Sequence, residues 1–98
     1  MSNINMMKID ERIEMIDNNS HIFVKSSSFE IKKDKYKYVS FFALEDVFGL
    51  DLIGFKYELC DNILSSIDSL CVSNEIIEQK GVIKFRKGKL LVIKSLED

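Results

Sequence analysis

The sequence predicts a small α+β domain: a mostly antiparallel sheet, formed by a three-strand meander and a C-terminal hairpin, packed by one main amphipathic helix and a short N-terminal helix. Three observations carry that expectation. Apolar residues recur at helical spacing between Gly54 and Val72, the pattern turns to that of strands between His21 and Phe42, and Lys87-Gly88 separates two apolar runs near the end. The chain has 98 residues, 46% of them hydrophobic and 31% charged, enough for one domain and too few for two. Residues 1–98 are therefore expected to form a single domain.

At the N-terminal end Met6, Ile9, Ile13 and Ile16 share one helical face, with Asp10, Glu11, Arg12, Glu14 and Asp17 around it, so residues 3–17 read as a short helix. A strand through Arg12–Ile16, turning at Asp17-Asn18-Asn19-Ser20, competes with that reading. His21–Lys25 is an apolar strand, and Phe29 and Ile31 alternate with Glu30 and Lys32. Tyr36–Phe42 is aromatic and β-branched, which completes the meander. Ser40 then opens a short helix through Phe48, with Gly49 placed to end it.

The main helix carries Phe55, Leu59, Ile63, Ile67 and Leu70 on one stripe, widened by Cys60, Leu64 and Cys71. Its opposite side holds Lys56, Glu58, Asp61, Asn62, Ser65, Asp68 and Ser69. Residues 73–80 fit either a helical turn capped by Ser73 or a strand through Ile76 and Ile77. Val82–Arg86 and Lys89–Lys94 form the hairpin, in a register that sets Phe85 against Leu90 and Ile83 against Val92. The helical stripe should meet Phe23, Ile31, Phe85, Leu90 and Val92 in the core.

Motifs with chemistry are scarce. His21 is the sole histidine and heads a strand, a structural position without the cluster that zinc requires. Cys60 and Cys71 would lie about 16 Å apart on one helix, too far to bridge, and read as buried reduced thiols. Gly49 and Gly54 have P-loop separation but lead into Phe55-Lys56. Ile76-Ile77-Glu78-Gln79-Lys80 resembles the strand of a metal-dependent nuclease but lacks a second acidic ligand nearby. Tyr36, Tyr38, Phe41 and Phe42 read as strand packing rather than a base-stacking platform. No catalytic residue, cofactor or metal is expected, and the chain is not expected to be an enzyme. Charges at Lys8, Asp10, Glu11, Arg12, Glu14 and Asp17 leave no signal core, and no apolar run exceeds the four residues of Leu90–Ile93, so a cytoplasmic location is expected.

Charge is segregated along the chain. Residues 45–78 hold eight acidic side chains against one basic, a balance of −7, whereas residues 80–94 hold six basic side chains and no acidic one. Lysine outnumbers arginine twelve to two and isoleucine is abundant, which fits an AT-rich genome such as that of a phage or other mobile element of a low-GC bacterium. The first functional expectation is a small non-enzymatic protein-binding module, an inhibitor or adaptor, docking Glu58, Asp61, Asp68, Glu75 and Glu78 on a partner with a basic surface. The alternative is a nucleic-acid-binding regulator that uses Lys32, Lys33, Lys35, Arg86, Lys87 and Lys89 on its hairpin tips. If the chain pairs with itself as a homodimer, Met6, Met7 and Ile9 supply the contact.

Overall fold

The computed structural model describes residues 14–66 and 73–97, and over these residues the chain is all-β. Among them the strands are β1 (Glu14–Ile16), β2 (Ser20–Lys25), β3 (Phe29–Lys32), β4 (Tyr38–Ile53), β5 (Leu59–Leu64), β6 (Asn74–Glu75), β7 (Lys80–Lys84) and β8 (Lys87–Ser95). Every pairing is antiparallel, in the order β1-β2-β8-β4-β7-β3, with β5 and β6 also on β4. The sheet curls into a half-barrel around one apolar interior.

The curl originates in β4. Its first residues pair with β8, from Tyr38↔Ser95 to Ala43↔Leu90, and the register then slips between Ala43, Glu45 and Phe48. Such a slip is a bulge, which bends the strand and increases its twist. Past the bend, Asp51–Ile53 pair with β7 instead. One strand of 16 residues therefore serves both layers. Val39, Phe41, Ala43, Val47, Leu50 and Leu52 of β4 point into the core, where they meet Ile31, Phe55, Leu64, Ile76, Ile83, Phe85, Leu90 and Val92. Burying each larger side chain contributes about 1.5–3 kcal/mol, so this cluster dominates the stability of the fold.

The expected α+β class is overturned, because no helix occurs among the described residues. The stretch read as the main helix instead forms a loop from Gly54 and then β5. Phe55 is buried and Leu59 and Leu64 pack inward, but Ile63 is exposed. Ile67 and Leu70 lie outside the described residues. The short helix from Ser40 is also absent, since β4 runs through Phe48 and Gly49 to Ile53. Of the N-terminal helix only residues 14–17 are described, and Glu14–Ile16 is a strand that turns at Asp17–Ser20 onto β2. The meander strands exist, but β2 lies against β8 and β3 against β7. The C-terminal strands likewise do not pair with each other. Both lie on β4, so the expected facing of Phe85 with Leu90 does not occur, although all four residues of that register are buried. Cys60 is exposed rather than buried, and Cys71 lies outside the described residues. No helix among the described residues is long and apolar enough to cross a membrane.

Two surface carboxylates fasten loops to this framework. Asp17 Oδ1 accepts from the backbone N–H of Asn19 and of Ser20, both at 2.8 Å, closing the turn between β1 and β2. Asp46 Oδ1 accepts from the backbone N–H of Ser66 at 2.7 Å, holding the end of the β5 segment to β4. These backbone donors, aided by serine hydroxyls, lower both carboxyls below their ordinary value of 3.8. A lowered value means the native state prefers the ionised form, so this stabilisation is present above the ordinary value and is lost as pH falls through the native one. Asp17→Asn is expected to be the less stable protein at neutral pH and to converge on the parent in acid. Melting temperatures measured from about pH 7 down to about pH 2 check this; a gap between the two proteins that stays constant with pH would contradict it.

Candidate functional site

The loop joining β4 to β5 is held more firmly than its exposure suggests. Gly54 turns the chain at φ +84°, and a Cβ there would stand 2.5 Å from the Lys80 carbonyl oxygen. Only glycine satisfies both conditions. Phe55 then dives into the core, with its ring edge-on to Phe41 at a centroid distance of 5.7 Å. It lies so close to Gly81 that a Cβ on Gly81 would stand 2.4 Å from the ring. Lys56 N–H donates to the Glu75 carbonyl at 2.8 Å, and the Gly54 carbonyl accepts from Ile77 N–H at 2.9 Å. The Glu58 carboxylate folds back to accept from Gly54 N–H at 2.8 Å.

At the apex stands Tyr57. Its N–H donates to Asn74 Oδ1 at 2.9 Å, and its carbonyl accepts from Asn74 Nδ2 at 2.8 Å. Asn74 is 4% exposed, and its Oδ1 also accepts from Glu75 N–H at 3.0 Å. One buried amide thus satisfies both backbone groups of Tyr57, while the tyrosine side chain stays half exposed. Buried amides are retained where their hydrogen bonds are complete, and here they fix an aromatic ring at the surface. Lys56 Nζ lies 5.5 Å from the centre of that ring and 3.9 Å from the Glu75 carboxylate. Ile53 and Ile77, the backbone neighbours of this turn, are exposed as well. The arrangement suits binding of a flat, positively charged ring by an aromatic face with carboxylates at its border.

The residues singled out in the sequence fall in several places. Glu58 belongs to this loop, Glu75 of β6 borders it, and Glu78 donates its backbone N–H to the Gly54 carbonyl at 3.4 Å. Asp61 sits on β5 and pairs with Arg86 at 3.0 Å, both side chains largely exposed. Asp68 lies outside the described residues. Lys32 and Lys33 are exposed around the end of β3, Lys35 lies over Tyr36, and Lys89 faces Glu45 at 3.8 Å. Lys87 opens β8. Acidic and basic segments are separate in sequence but neighbours across the sheet, so their charges meet in exposed pairs worth about 0–1 kcal/mol each. Tyr36 and Phe41 are buried and form no platform. His21 pairs with Glu14 at 2.6 Å, and Lys80 of the nuclease-like stretch pairs with Glu30 at 3.0 Å. Among the described residues no group of acidic, histidine or cysteine side chains is arranged to hold a metal.

Residues 26–90 match the family model described as thiamin pyrophosphokinase, vitamin B1 binding domain. The chain belongs to this family. The matched segment includes the whole Tyr57 loop, Asn74 and Gly81, and leaves out Glu14, His21 and Lys94. Thiamine pyrophosphokinase of Bacillus subtilis (strain 168) is 37% identical over 94 residues, which cover 93% of this chain and 44% of that protein. A crystal structure of the Bacillus subtilis enzyme superposes with a TM-score of 0.84 at 34% identity, over 99% of this chain and 49% of that one. The thiamin pyrophosphokinase of Geobacillus thermodenitrificans gives a TM-score of 0.79 at 35% identity, over 88% and 41%. The chain thus spans a little under half the length of these relatives.

Membership of an enzyme family overturns two expectations: a non-enzymatic inhibitor or adaptor from a phage or mobile element, and a nucleic-acid-binding regulator. The expectation that the chain is not an enzyme falls with them, since the relatives it matches are thiamine pyrophosphokinases. What the sequence reading missed was Gly54-Phe55-Lys56-Tyr57-Glu58 followed by Ser73-Asn74-Glu75. The available signal was an aromatic residue between charges directly after a glycine that ends a strand, which is a loop signature and not a helix start.

Proposed function

We propose that this chain is the thiamine-binding domain of a thiamine pyrophosphokinase, and that thiamine stacks on the exposed ring of Tyr57. The observation that carries the reading is the clamp, in which buried Asn74 holds both backbone polar groups of Tyr57 and leaves its ring to solvent. Thiamine joins a permanently cationic thiazolium to a flat aminopyrimidine. An aromatic face attracts such a cation by about 0.5–2 kcal/mol, more as water is excluded. Lys56 now occupies that position and has the Glu75 carboxylate to retreat to, so an arriving cation can replace it. The acidic surplus of residues 45–78 favours a cationic ligand over the basic partner protein first expected of it.

In this reading the pyrophosphoryl chemistry in the relatives' name belongs to the rest of the enzyme, which is also the protein partner of this chain. The 98 residues act as one domain of it in the cytoplasm, where a reducing compartment suits the exposed thiol of Cys60.

Titration of the isotope-labelled chain with thiamine, followed by amide NMR, tests the proposal. Saturable shifts are expected at Lys56, Tyr57, Glu58 and Glu75. Tyr57→Ala should weaken binding by at least about tenfold, and Tyr57→Phe by less than about threefold, since the ring face survives. Unchanged affinity in Tyr57→Ala would remove this loop as the site.

A further inference from the structure

On another part of the surface, β8 breaks its own rule. Its inward positions run Leu90, Val92, Lys94, and the first two are fully buried. A third apolar residue would complete the stripe, yet the position holds a lysine that is 5% exposed. Burying an ammonium is costly unless its donors are used. Lys94 Nζ donates to Asp34 Oδ2 at 2.5 Å and lies 5.4 Å from the centre of the Tyr36 ring. Three donors therefore meet one acceptor and one aromatic face.

This lysine lines a groove of about 420 Å³ between β2 and β3, a volume that suits a small organic ligand. The groove lies at the open seam of the half-barrel, where β3 has β7 on one side and no strand on the other among the described residues. Its walls are aromatic. Phe23 and Phe29 meet edge to face at 6.0 Å, and the His21 ring lies 5.0 Å from Phe23. Both phenylalanines are only partly buried.

The partners already taken decide what the groove lacks. Glu14 holds His21, Asp34 holds Lys94 and Glu30 holds Lys80, so each carboxylate of the lining is occupied. The capacity left over is cationic: the remaining donors of Lys94, and Lys32 at the rim. We infer that this groove is a second ligand site, for a small planar aromatic ring that carries a carboxylate or phosphate. The ring packs against the exposed parts of Phe23 and Phe29, and the anion completes the hydrogen bonding of Lys94. The acids and bases of the lining balance, so the groove selects ring and anion together and does not gather anions in general. It shares no residue with the Tyr57 loop, and the inference stands independently of thiamine binding.

The experiment is an NMR titration of the chain with phenyl phosphate and, separately, benzoate, with inorganic phosphate and phenol as the half-ligands. At least one aromatic anion is expected to bind about tenfold or more tightly than either half-ligand, with shifts at His21, Phe23 and Phe29; which one wins tells phosphate from carboxylate. Lys94→Met keeps the length of the side chain and should reduce that affinity about tenfold or more while preserving a dispersed spectrum. Should Lys94→Met unfold, Phe23→Leu removes the ring while keeping apolar bulk, and the same loss is expected. Inorganic phosphate binding as tightly as the aromatic anions, or full affinity in a folded Lys94→Met, would overturn the site.

Discussion

Asn74→Ala is expected to cost about 2–4 kcal/mol of stability and to weaken thiamine binding by more than its unfolding accounts for. Three hydrogen bonds vanish: those to Tyr57 N–H, Tyr57 C=O and Glu75 N–H. The groups left behind are backbone, partly buried and unable to reach another partner without moving the loop, and each such orphan costs about 1–3 kcal/mol. Asn74→Asp separates the contributions. An aspartate keeps the acceptor for both N–H groups but turns the donor toward the Tyr57 carbonyl into a second negative oxygen. The two N–H donors favour the ionised acid, while burial at a 4% exposed position and the facing carbonyl disfavour it; with burial and the carbonyl prevailing, the carboxyl's native value is expected above its unfolded one. The sign follows: a raised group supplies its stabilisation below the unfolded value and loses it as pH rises through the native one. Relative to the parent protein, Asn74→Asp should therefore melt much lower at neutral pH and recover toward about pH 4–5, where the protonated acid donates again. Thermal melts of both proteins across that range check it. A deficit independent of pH would mean that the two N–H donors offset burial and the facing carbonyl, leaving the acid unshifted.

The same loop shows where sequence reasoning stops. Strands β2 and β3 were legible because Ile22-Phe23-Val24 is an apolar run and Phe29 and Ile31 alternate with Glu30 and Lys32. Leu59 and Leu64 both turn inward although they are five positions apart, which simple alternation forbids. The cause is a bulge. The pairing of β4 with β5 slips between Leu50↔Asn62 and Leu52↔Leu59, and Asp61 takes a left-handed φ of 53°. Its N–H donates to Asp51 at 2.6 Å and its carboxylate pairs with Arg86, contacts that hold the strain in place. An extra residue in a strand re-phases its alternation, and the result imitated a helical stripe. The hairpin misreading has a different origin. Lys87-Gly88 follows Arg86, whose N–H donates to Phe48 of β4 at 2.8 Å, so the chain crosses to the other layer instead of folding back. Long-range pairing of that kind leaves no local signal. The site was hidden for the same reason, because Tyr57 and Asn74 are 17 positions apart and meet through the pairing of β6 with β4 and the backbone bonds that join 54–56 to 75–77.

Gly81→Ala carries the other large expected effect, and it runs from the core to the loop. The added Cβ would lie 2.4 and 2.5 Å from two carbons of the Phe55 ring, well inside contact distance. The ring has little room to withdraw, being 1% exposed and edge-on to Phe41 at 5.7 Å. Gly81 itself is buried and pairs with Ile31, so β7 would have to lift away from β3 or Phe55 would have to leave its pocket. Overpacking of this kind costs about 1–3 kcal/mol, and more where the backbone must move. Phe55 is also the anchor two residues before Tyr57, so any displacement passes to the ring at the apex, and thiamine affinity should fall with stability. Phe55→Leu tests the mechanism. Alone it leaves a cavity where the ring stood and is destabilising; combined with Gly81→Ala, the smaller side chain yields the space that the methyl needs. The double variant should be at least about 1 kcal/mol more stable than the two single effects sum to, the sign of a direct steric conflict. Denaturant unfolding of the four proteins measures that coupling. Additive losses would show that Gly81 matters for the backbone conformation of β7 and not for the seat of Phe55.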